Sequence, residues 1–356
     1  RVTPPEEPKF QPEKYVLSDG NGKFDITGTK LLDDDAELAD KYADTNANPY
    51  ADSSDGKKLS NGEIVGKNEA ENINTKAVKR GETINYQVWL DTNQFDANNK
   101  DNIQTVGITD DYDEAKLEVK ASDIKAYDGK TGADVTDKFD ISIANGVITA
   151  NLKAGFTKSL GDAENTQIID TTKFEFGRYY KFVIPAKVTD GAYDGAEIEN
   201  TAAQVVNYYN PTTKKTEKPE KPTEKRVNNV PMAIQLIFGK TLNGRQLKDK
   251  EFNFVLKDEA GKVLETVQND AKGKVTFSTI NYGRDDLGKT FNYTVEEVKG
   301  TDTTVTYDNM KVNVTVKVIQ PSAGNQLSTV ISYATVGGNS YESDDRIFDN
   351  NVTPNF

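Results

Sequence analysis

Alternation of apolar and polar residues with a period of two is the feature that most constrains this chain. It is clearest at residues 84–90, 252–256 and 312–318, where every second side chain is apolar. Because successive side chains of a β-strand point to opposite faces, the pattern is typical of strands that bury one face. Turn-forming pairs separate such stretches: Asp19-Gly20, Asp128-Gly129, Asn145-Gly146, Asn243-Gly244 and Gly337-Gly338. Helical patterns are confined to 37–42 and 284–289, so we predict an all-β fold of immunoglobulin-like sandwiches.

Composition excludes several classes of function. The 356 residues include neither His nor Cys, which removes the common general base, a common pair of zinc ligands and any disulfide. The net charge is -13, and an acidic surface disfavours nucleic acid, whose phosphates need Lys and Arg. No apolar run approaches the length that crosses a bilayer, so we expect no membrane span in this fragment. Extracellular β domains with lean cores usually contain a staple, so the lack of Cys suggests another kind of cross-link.

One segment interrupts the strand pattern and divides the chain. Residues 210–229 contain three prolines and abundant Lys, a composition typical of an extended linker. We therefore predict a first domain at 8–209 and a second at 230–356. Within the first, residues 31–70 are rich in Asp, Asn, Ser and Gly. We interpret this stretch as an acidic insertion, because it lacks the apolar residues of a core.

Three polar residues of the second domain share the core-facing register of three different strands. Alternation places Lys240 and Glu297 on the apolar faces of two strands, and Asn350, between Phe348 and Val352, on that of a third. A lone buried ammonium or carboxylate is costly unless it is neutralised or paired. The pattern therefore predicts that these side chains meet inside the domain.

Such a trio has a chemical use. A Lys amine in an apolar site loses its proton and becomes nucleophilic. A carboxyl in the same site has a raised pKa, stays protonated, and can donate a hydrogen bond that polarises the Asn side-chain carbonyl. Attack by the amine then expels ammonia and leaves an amide bond, once per molecule and without a cofactor. The alternative is that Lys240 lies on an edge strand and extends its ammonium to water, because alternation gives the face of a side chain but not its depth.

The first domain repeats this order of residues. Lys14 near its start, Asp110 in its middle and Asn200 near its end each share a face with apolar neighbours. The alternative is that Asp110 and Asp111 form a turn and that Asn200 makes a local hydrogen bond. Finding the same order twice favours a second cross-link over this alternative.

The second domain resembles the streptococcal pilin isopeptide linkage domain over residues 230–356. Four segments carry the resemblance: Phe238-Gly-Lys-Thr-Leu-Asn-Gly244, Leu247-Lys-Asp-Lys-Glu-Phe-Asn-Phe254, Gly288-Lys-Thr-Phe-Asn-Tyr-Thr-Val-Glu-Glu-Val-Lys-Gly300 and Phe348-Asp-Asn350. In that family a Lys and an Asn are joined with the help of a Glu, and these match Lys240, Asn350 and Glu297. The family's usual Asn-Thr-Tyr ending reads Asn350-Asn351-Val352 here, so Asn351 is an alternative partner.

Residues 8–209 resemble the C-terminal stalk domains of the antigen I/II family of oral streptococcal adhesins. Three segments carry this resemblance: Arg80-Gly-Glu-Thr-Ile-Asn-Tyr-Gln-Val-Trp-Leu-Asp91, Ile108-Thr-Asp-Asp-Tyr-Asp-Glu-Ala115 and Ile198-Glu-Asn-Thr-Ala-Ala203. The family's Lys, Asp and Asn match Lys14, Asp110 and Asn200, which implies a Lys14–Asn200 bond assisted by Asp110. Because the acidic insertion blurs the alignment near Lys14, Lys9 and Lys76 are alternatives.

The two resemblances imply a structural and adhesive role rather than an enzyme. We expect an extracellular, cell-wall-anchored stalk from a Gram-positive bacterium such as a Streptococcus, with a role in virulence. It would hold an N-terminal binding head for host or bacterial surface glycoproteins, with attachment to peptidoglycan beyond this fragment. The alternative is that one of the two domains is itself a binding module.

Calcium is the one cofactor that the sequence raises. Asp and Asn are dense at 33–35, 52–56 and 91–101, and closely spaced oxygen ligands suit Ca²⁺, although no segment has EF-hand spacing. The antigen I/II resemblance also implies Ca²⁺ in the first domain. The alternative is that these are solvated acidic loops. The sequence names no individual metal ligands.

Overall fold

The computed structural model describes residues 7–17, 73–95, 99–321, 324–338 and 344–353. The chain divides into two compact units: the first extends to Val230, and the second comprises Pro231 onward together with Asp194–Ala196. The predicted acidic insertion at 31–70 and the predicted helix at 37–42 lie outside the described residues. In the remainder, strands form the long elements, joined by short 3₁₀ turns at Ala121–Asp123, Thr136–Lys138, Ala154–Phe156 and Arg284–Asp286.

The first unit is a β-sandwich. Its strands are β1 (Glu13–Leu17), β2 (Thr83–Asp91), β3 (Ile103–Asp111), β4 (Leu117–Glu118), β5 (Lys125–Asp128), β6 (Phe139–Ala144), β7 (Val147–Leu152), β8 (Thr157–Ser159), β9 (Gln167–Ile169), β10 (Tyr179–Val188), β11 (Glu197–Asn200), β12 (Ala202–Asn210), β13 (Lys215–Glu217), β14 (Glu220–Pro222) and β15 (Arg226–Asn229). One sheet has the order β1-β2-β10-β4, and the other has the order β13-β12-β3-β7-β6. Strand β5 also pairs with β10, and β14 also pairs with β12. Two shorter pairs, β8–β9 and β11–β15, complete the unit.

Alternation in the sequence produces the two layers directly. The predicted apolar face of β2 is buried at Tyr86 and Val88, and β10 buries every second residue along its length. From the other sheet, Val106 and Ile148 are fully buried. The all-β sandwich predicted from the period-two pattern is therefore confirmed.

The structure corrects the prediction of a linker at 210–229. Most of this segment forms strands β13, β14 and β15, which pair antiparallel with β12 and β11 inside the first unit. Strand β13 is exposed throughout, while all four residues of β15 are buried. Charged residues and proline are the usual composition of a protected edge strand, so the sequence of this edge resembles that of a linker.

The second unit is a smaller sandwich. Its strands are β16 (Met232–Ile234), β17 (Ile237–Asn243), β18 (Asn253–Lys257), β19 (Val263–Gln268), β20 (Lys274–Thr276), β21 (Ile280–Tyr282), β22 (Thr290–Glu297), β23 (Val305–Thr306), β24 (Lys311–Ile319), β25 (Ser328–Val336) and β26 (Ile347–Val352). The sheets have the orders β20-β17-β26-β23 and β19-β18-β22-β24-β25, and β16 pairs with β21. Between the sheets lies an apolar core that includes Phe238, Phe254, Val314 and Phe348.

One pairing in the second unit differs in direction from the others. Strands β17 and β26 run parallel, with Lys240 opposite Phe348 and Leu242 opposite Asn350. An early strand and the last strand of the domain therefore lie side by side. In this pairing Lys240 and Asn350 are offset by two residues. No helix among the described residues has the length and apolarity to cross a membrane.

Candidate isopeptide cross-link sites

The structure brings the three polar residues of the second domain together. Lys240 Nζ lies 3.3 Å from Glu297 Oε2, and both side chains are fully buried. The other carboxyl oxygen, Glu297 Oε1, accepts a hydrogen bond of 2.6 Å from Asn350 Nδ2. Lys240 also donates to the carbonyl of Phe348 at 3.2 Å. The alternative in which Lys240 extends to water does not hold, because its ammonium has no exposed surface.

Orientation of the Asn350 amide differs from the expected one. The backbone N–H of Asp308 donates to Asn350 Oδ1 at 2.7 Å. Since a backbone N–H can only donate, this contact fixes the carbonyl toward Asp308 and the NH₂ group toward Glu297. The sequence analysis predicted that Glu297 polarises the Asn350 carbonyl. This part of the prediction is wrong, because the carbonyl points to Asp308 instead. The carboxyl faces the nucleophile and the leaving group, and the backbone of Asp308 polarises the carbonyl.

Asp308 is held in place by its own side chain. Its carboxylate accepts the backbone N–H groups of Met310 and Asp349 at 3.0 and 2.9 Å. These contacts fasten the turn before β24 to strand β26, and so direct the N–H of Asp308 at Asn350. The sequence analysis missed this residue. Alternation of apolar and polar residues gives no signal for it, because the backbone of a turn makes the contact with Asn350.

Electrostatics favour neutral forms of the buried pair. Burial lowers the pKa of the Lys240 amine, against the opposing effect of the Glu297 charge. Burial likewise raises the pKa of the Glu297 carboxyl, against the effect of Lys240. Loss of solvation outweighs mutual attraction in both cases. An uncharged amine beside a protonated carboxyl is the combination that nucleophilic attack requires.

Strand β26 separates the two candidate asparagines by face. Phe348 and Asn350 are fully buried, whereas Asn351 is exposed. Asn351 accepts a hydrogen bond of 3.1 Å from Asn243 at the surface. Asn350 is thus the amide that contacts the same buried carboxyl as Lys240, whereas Asn351 points away.

The first domain contains a closely similar pair. Lys14 Nζ on β1 lies 2.6 Å from Asp110 Oδ2 on β3, and neither side chain has exposed surface. Asp110 lies within strand β3 rather than in a turn, so the turn alternative does not hold. Burial lowers the pKa of Lys14, helped by the nearby charge of Arg226, and burial raises the pKa of Asp110.

Asn200 lies beside this pair without an ordinary hydrogen bond. It is buried on β11. Burial raises the pKa of both Asp110 and Tyr86, and the nearby Asn200 amide partly opposes this rise. Within the described part of the chain, however, neither side-chain atom of Asn200 has a partner at hydrogen-bond geometry, and the Tyr86 hydroxyl has none either. An amide, a carboxyl and a phenol therefore crowd one dry site.

The alternative lysines lie elsewhere. Lys9 is exposed and Lys76 is half-buried, whereas Lys14 is completely buried against Asp110. Of these three lysines, Lys14 is the one whose amine contacts the buried carboxyl.

An aromatic ring packs against the amine in both domains. Lys14 Nζ lies 4.6 Å from the centre of the Tyr86 ring, and Lys240 Nζ lies 4.8 Å from that of Phe252. Both rings exclude water from the nitrogen. The sequence analysis missed their role, although each ring occupies a core position of an alternating stretch.

The described acidic residues do not form a metal site. Of the three dense stretches, 33–35 and 52–56 lie outside the described residues. In the third, the Asp91 carboxylate already accepts the backbone N–H groups of Gln11 and Asn93. No group of three or more acidic residues in the described ranges is arranged to hold an ion. Calcium binding by the first domain stays a prediction.

Two family models match the chain. Residues 57–219 match the cell surface antigen I/II C2 terminal domain, and residues 236–353 match the Spy0128-like isopeptide-containing domain, FctA. Both predicted family resemblances are confirmed. The FctA match includes Lys240, Glu297 and Asn350, whereas the antigen I/II match includes Asp110 and Asn200 and begins after Lys14. No curated protein matches the chain.

Solved structures of pilins and fimbrial proteins resemble the chain in part. BcpA, the major pilin subunit of Bacillus cereus, is 18% identical with a TM-score of 0.34, over 78% of this chain and 67% of that one. The Actinomyces fimbrial adhesin FimA is 14% identical with a TM-score of 0.30, over 78% of this chain and 95% of that one. A 35 kDa C-terminal fragment of the Streptococcus agalactiae pilin GBS80 is 13% identical with a TM-score of 0.33, over 78% and 95%. These scores are too low to support a functional argument.

The family matches indicate a surface protein with a structural role. The antigen I/II and FctA domains are structural rather than enzymatic, in agreement with the expectation that the chain is not an enzyme. Both families belong to the Gram-positive cell surface, which makes the chain extracellular.

Proposed function

We propose that the chain is the cross-linked stalk of a cell-wall-anchored adhesin, and that each domain is locked by one Lys–Asn isopeptide bond. The stalk holds an N-terminal binding head, which contacts host or bacterial surface glycoproteins, away from the cell. The observation that supports this best is the second-domain site. There one buried carboxyl contacts both the amine of Lys240 and the amide NH₂ of Asn350.

This contact defines a reaction in which Glu297 moves protons. The lone pair of Lys240 Nζ attacks Cγ of Asn350, and the negative charge that develops on Oδ1 is stabilised by the N–H of Asp308. The protonated carboxyl of Glu297 donates its proton to Nδ2 of Asn350, and the carboxylate that results accepts a proton from the attacking nitrogen. The Cγ–Nδ2 bond then breaks, ammonia leaves, and an Nζ–Cγ amide bond remains. Phe252 and the surrounding core keep the amine uncharged.

The first domain offers the same groups in another arrangement. Asp110 takes the place of Glu297 beside Lys14, and Asn200 supplies the amide. No backbone donor comparable to Asp308 contacts Asn200 among the described residues. We propose that the Tyr86 hydroxyl, which lies near the same amide, donates a hydrogen bond to the Asn200 side-chain carbonyl.

Intact-mass measurement tests the cross-links. The purified chain should be lighter than its sequence mass by one ammonia for each bond, hence by two. Peptide mapping should then find branched peptides that join Lys240 to Asn350 and Lys14 to Asn200. As a matched control, Glu297→Gln keeps the shape of the side chain but cannot exchange protons. This variant should therefore lose only one ammonia, from the first domain. A mass equal to the sequence value would refute both bonds.

Surface attachment and receptor binding need separate experiments. Peptidoglycan hydrolase should release the full-length protein from cells, whereas detergent should not. In a pull-down from saliva, the full-length protein should capture glycoproteins that the present chain does not. Equal capture by both proteins would move the binding function into these two domains.

A further inference from the structure

A polar groove lies on the outer face of the second sheet of the first domain, away from the cross-link site. Its volume is about 460 Å³, within the range of small-ligand sites. Strands β3, β6, β7 and β12 supply the floor, and the β8–β9 hairpin with the turn before it supplies one wall. The lining residues are Gln104, Thr105, Asp140, Asn151, Leu152, Ala154, Thr157, Gln167, Val205 and Asn207.

Strand register explains why polar groups gather there. Asp140, Asn151 and Val205 lie in one row across the sheet, with Gly107 between Asn151 and Val205. A Cβ atom at Gly107 would collide with the Asn151 side chain and with the Ala150 carbonyl. The glycine therefore leaves a depression in the sheet, and the Asn151 amide lies across it.

A β-bulge adds two further polar side chains. Asn207 is opposite Thr105 but Tyr208 is opposite Ile103, so Gln104 is the extra residue. Bulges re-aim side chains and occur often beside binding sites. Here the bulge allows Gln104 and Thr105, which are adjacent in sequence, both to line the groove.

Two polar atoms of the groove lack a partner. Thr105 Oγ1 and Asn207 Oδ1 are buried, and neither makes a hydrogen bond within the described part of the chain. A buried hydroxyl or amide oxygen without a partner is costly. They belong to opposed residues of neighbouring strands, and both residues line the groove. A rotation of either side chain would turn its oxygen toward a ligand, and the hydrogen bond gained there favours binding.

We propose that the groove binds a neutral saccharide. Its hydrogen-bonding groups are amides, hydroxyls and one carboxylate, which can both donate to and accept from sugar hydroxyls. No Lys or Arg is among the lining residues, so nothing there attracts sialic acid, sulfate or phosphate. Apolar lining is limited to Leu152, Ala154 and Val205, which does not suit an apolar ligand.

A peptide fits the groove less well than a saccharide. Extended peptides bind mainly by adding a strand to an exposed sheet edge, where backbone groups are free. The floor here is the paired interior of a sheet, because β3 lies between β12 and β7. Its backbone groups are therefore already used, and side chains alone are offered to the ligand.

A glycan array tests this proposal. The whole chain, displayed as a streptavidin tetramer to raise its avidity, is applied to immobilised neutral, sialylated and sulfated glycans. We expect binding to a subset of the neutral glycans. Binding to none of the glycans, or a preference for sialylated or sulfated ones, would overturn the proposal.

Single substitutions then locate the site. Asn151→Ala and Asn207→Ala should each weaken binding of the selected glycan by about tenfold or more, the effect of losing one good hydrogen bond. Thr149→Ala is the matched control, because Thr149 lies on the same face of β7 but does not line the groove. Its binding should equal that of the unaltered chain. Retained binding in both asparagine variants would place the glycan elsewhere and refute the groove.

Discussion

At the scale of single residues, the second-domain chemistry depends on which of two adjacent asparagines faces the core. Asn350 is buried against Glu297, and Asn351 is at the surface. We therefore expect Asn350→Ala to abolish the loss of ammonia from the second domain and Asn351→Ala to leave it intact. Intact mass decides between them. The reverse result would mean that strand β26 is shifted by one residue.

The buried carboxyl also predicts a pH dependence. In Lys240→Met the bond cannot form, and Glu297 loses the nearby charge that opposes the rise of its pKa. A carboxyl with a raised pKa in the folded state binds more protons there than in the unfolded chain. The free energy of unfolding should therefore be highest below about pH 4.3, the ordinary pKa of Glu. It should fall as the pH rises from there to the folded-state pKa of Glu297, and level off above it.

Urea denaturation of the second domain between acidic and neutral pH measures this effect. Each unit by which the pKa of Glu297 is raised should appear as a loss of about 1.4 kcal/mol at neutral pH. Lys240→Met combined with Glu297→Gln is the matched control, and its stability should vary much less with pH. Equal slopes for the two variants would contradict a buried, protonated Glu297.

At the scale of elements, the segment expected as a linker holds the first sandwich closed. Strands β13 and β14 border β12, and the Thr223 hydroxyl just after β14 accepts the backbone N–H of Ala202 at 3.0 Å. Thr223→Val keeps the shape but leaves that buried N–H without a partner. We expect it to lower the free energy of unfolding of the first domain by about 1 to 3 kcal/mol.

This substitution is best measured by urea denaturation in an Asn200→Ala background, where the domain has no cross-link. Thr212→Val, in an exposed turn of the same segment, is the control and should change stability by less than about 0.5 kcal/mol. A similarly small effect of Thr223→Val would show that the segment does not stabilise the sandwich.

Sequence alone predicted the elements whose faces are set by alternation. Lys240, Glu297 and Asn350 were placed on the inner face because each continues an apolar row, and they are buried there. Alternation could not predict the role of Asp308, because a turn backbone makes that contact. It also could not predict strands β13 to β15, since exposed edges are not selected for apolar residues.

At the scale of the whole molecule, the proposed cross-links do not both join the first strand of a domain to its last. A bond from the first strand to the last would carry a pulling force past the entire domain. In the second domain this nearly holds, because Asn350 lies on the last strand, β26, and Lys240 on the second, β17. In the first domain Asn200 ends β11, and four more strands follow before Val230.

With the proposed Lys14–Asn200 bond, the first domain would be a covalent ring followed by a tail of about 30 residues that can uncoil under load. Fully drawn out, such a tail spans on the order of 100 Å. In single-molecule force spectroscopy we expect one short, reversible lengthening step of this size. Asn200→Ala should convert it into a step several times longer, and a cross-linked chain that never lengthens would contradict the ring and tail. In the proposed stalk, extension of this tail under sudden shear would dissipate mechanical energy before the force reaches the adhesive contact.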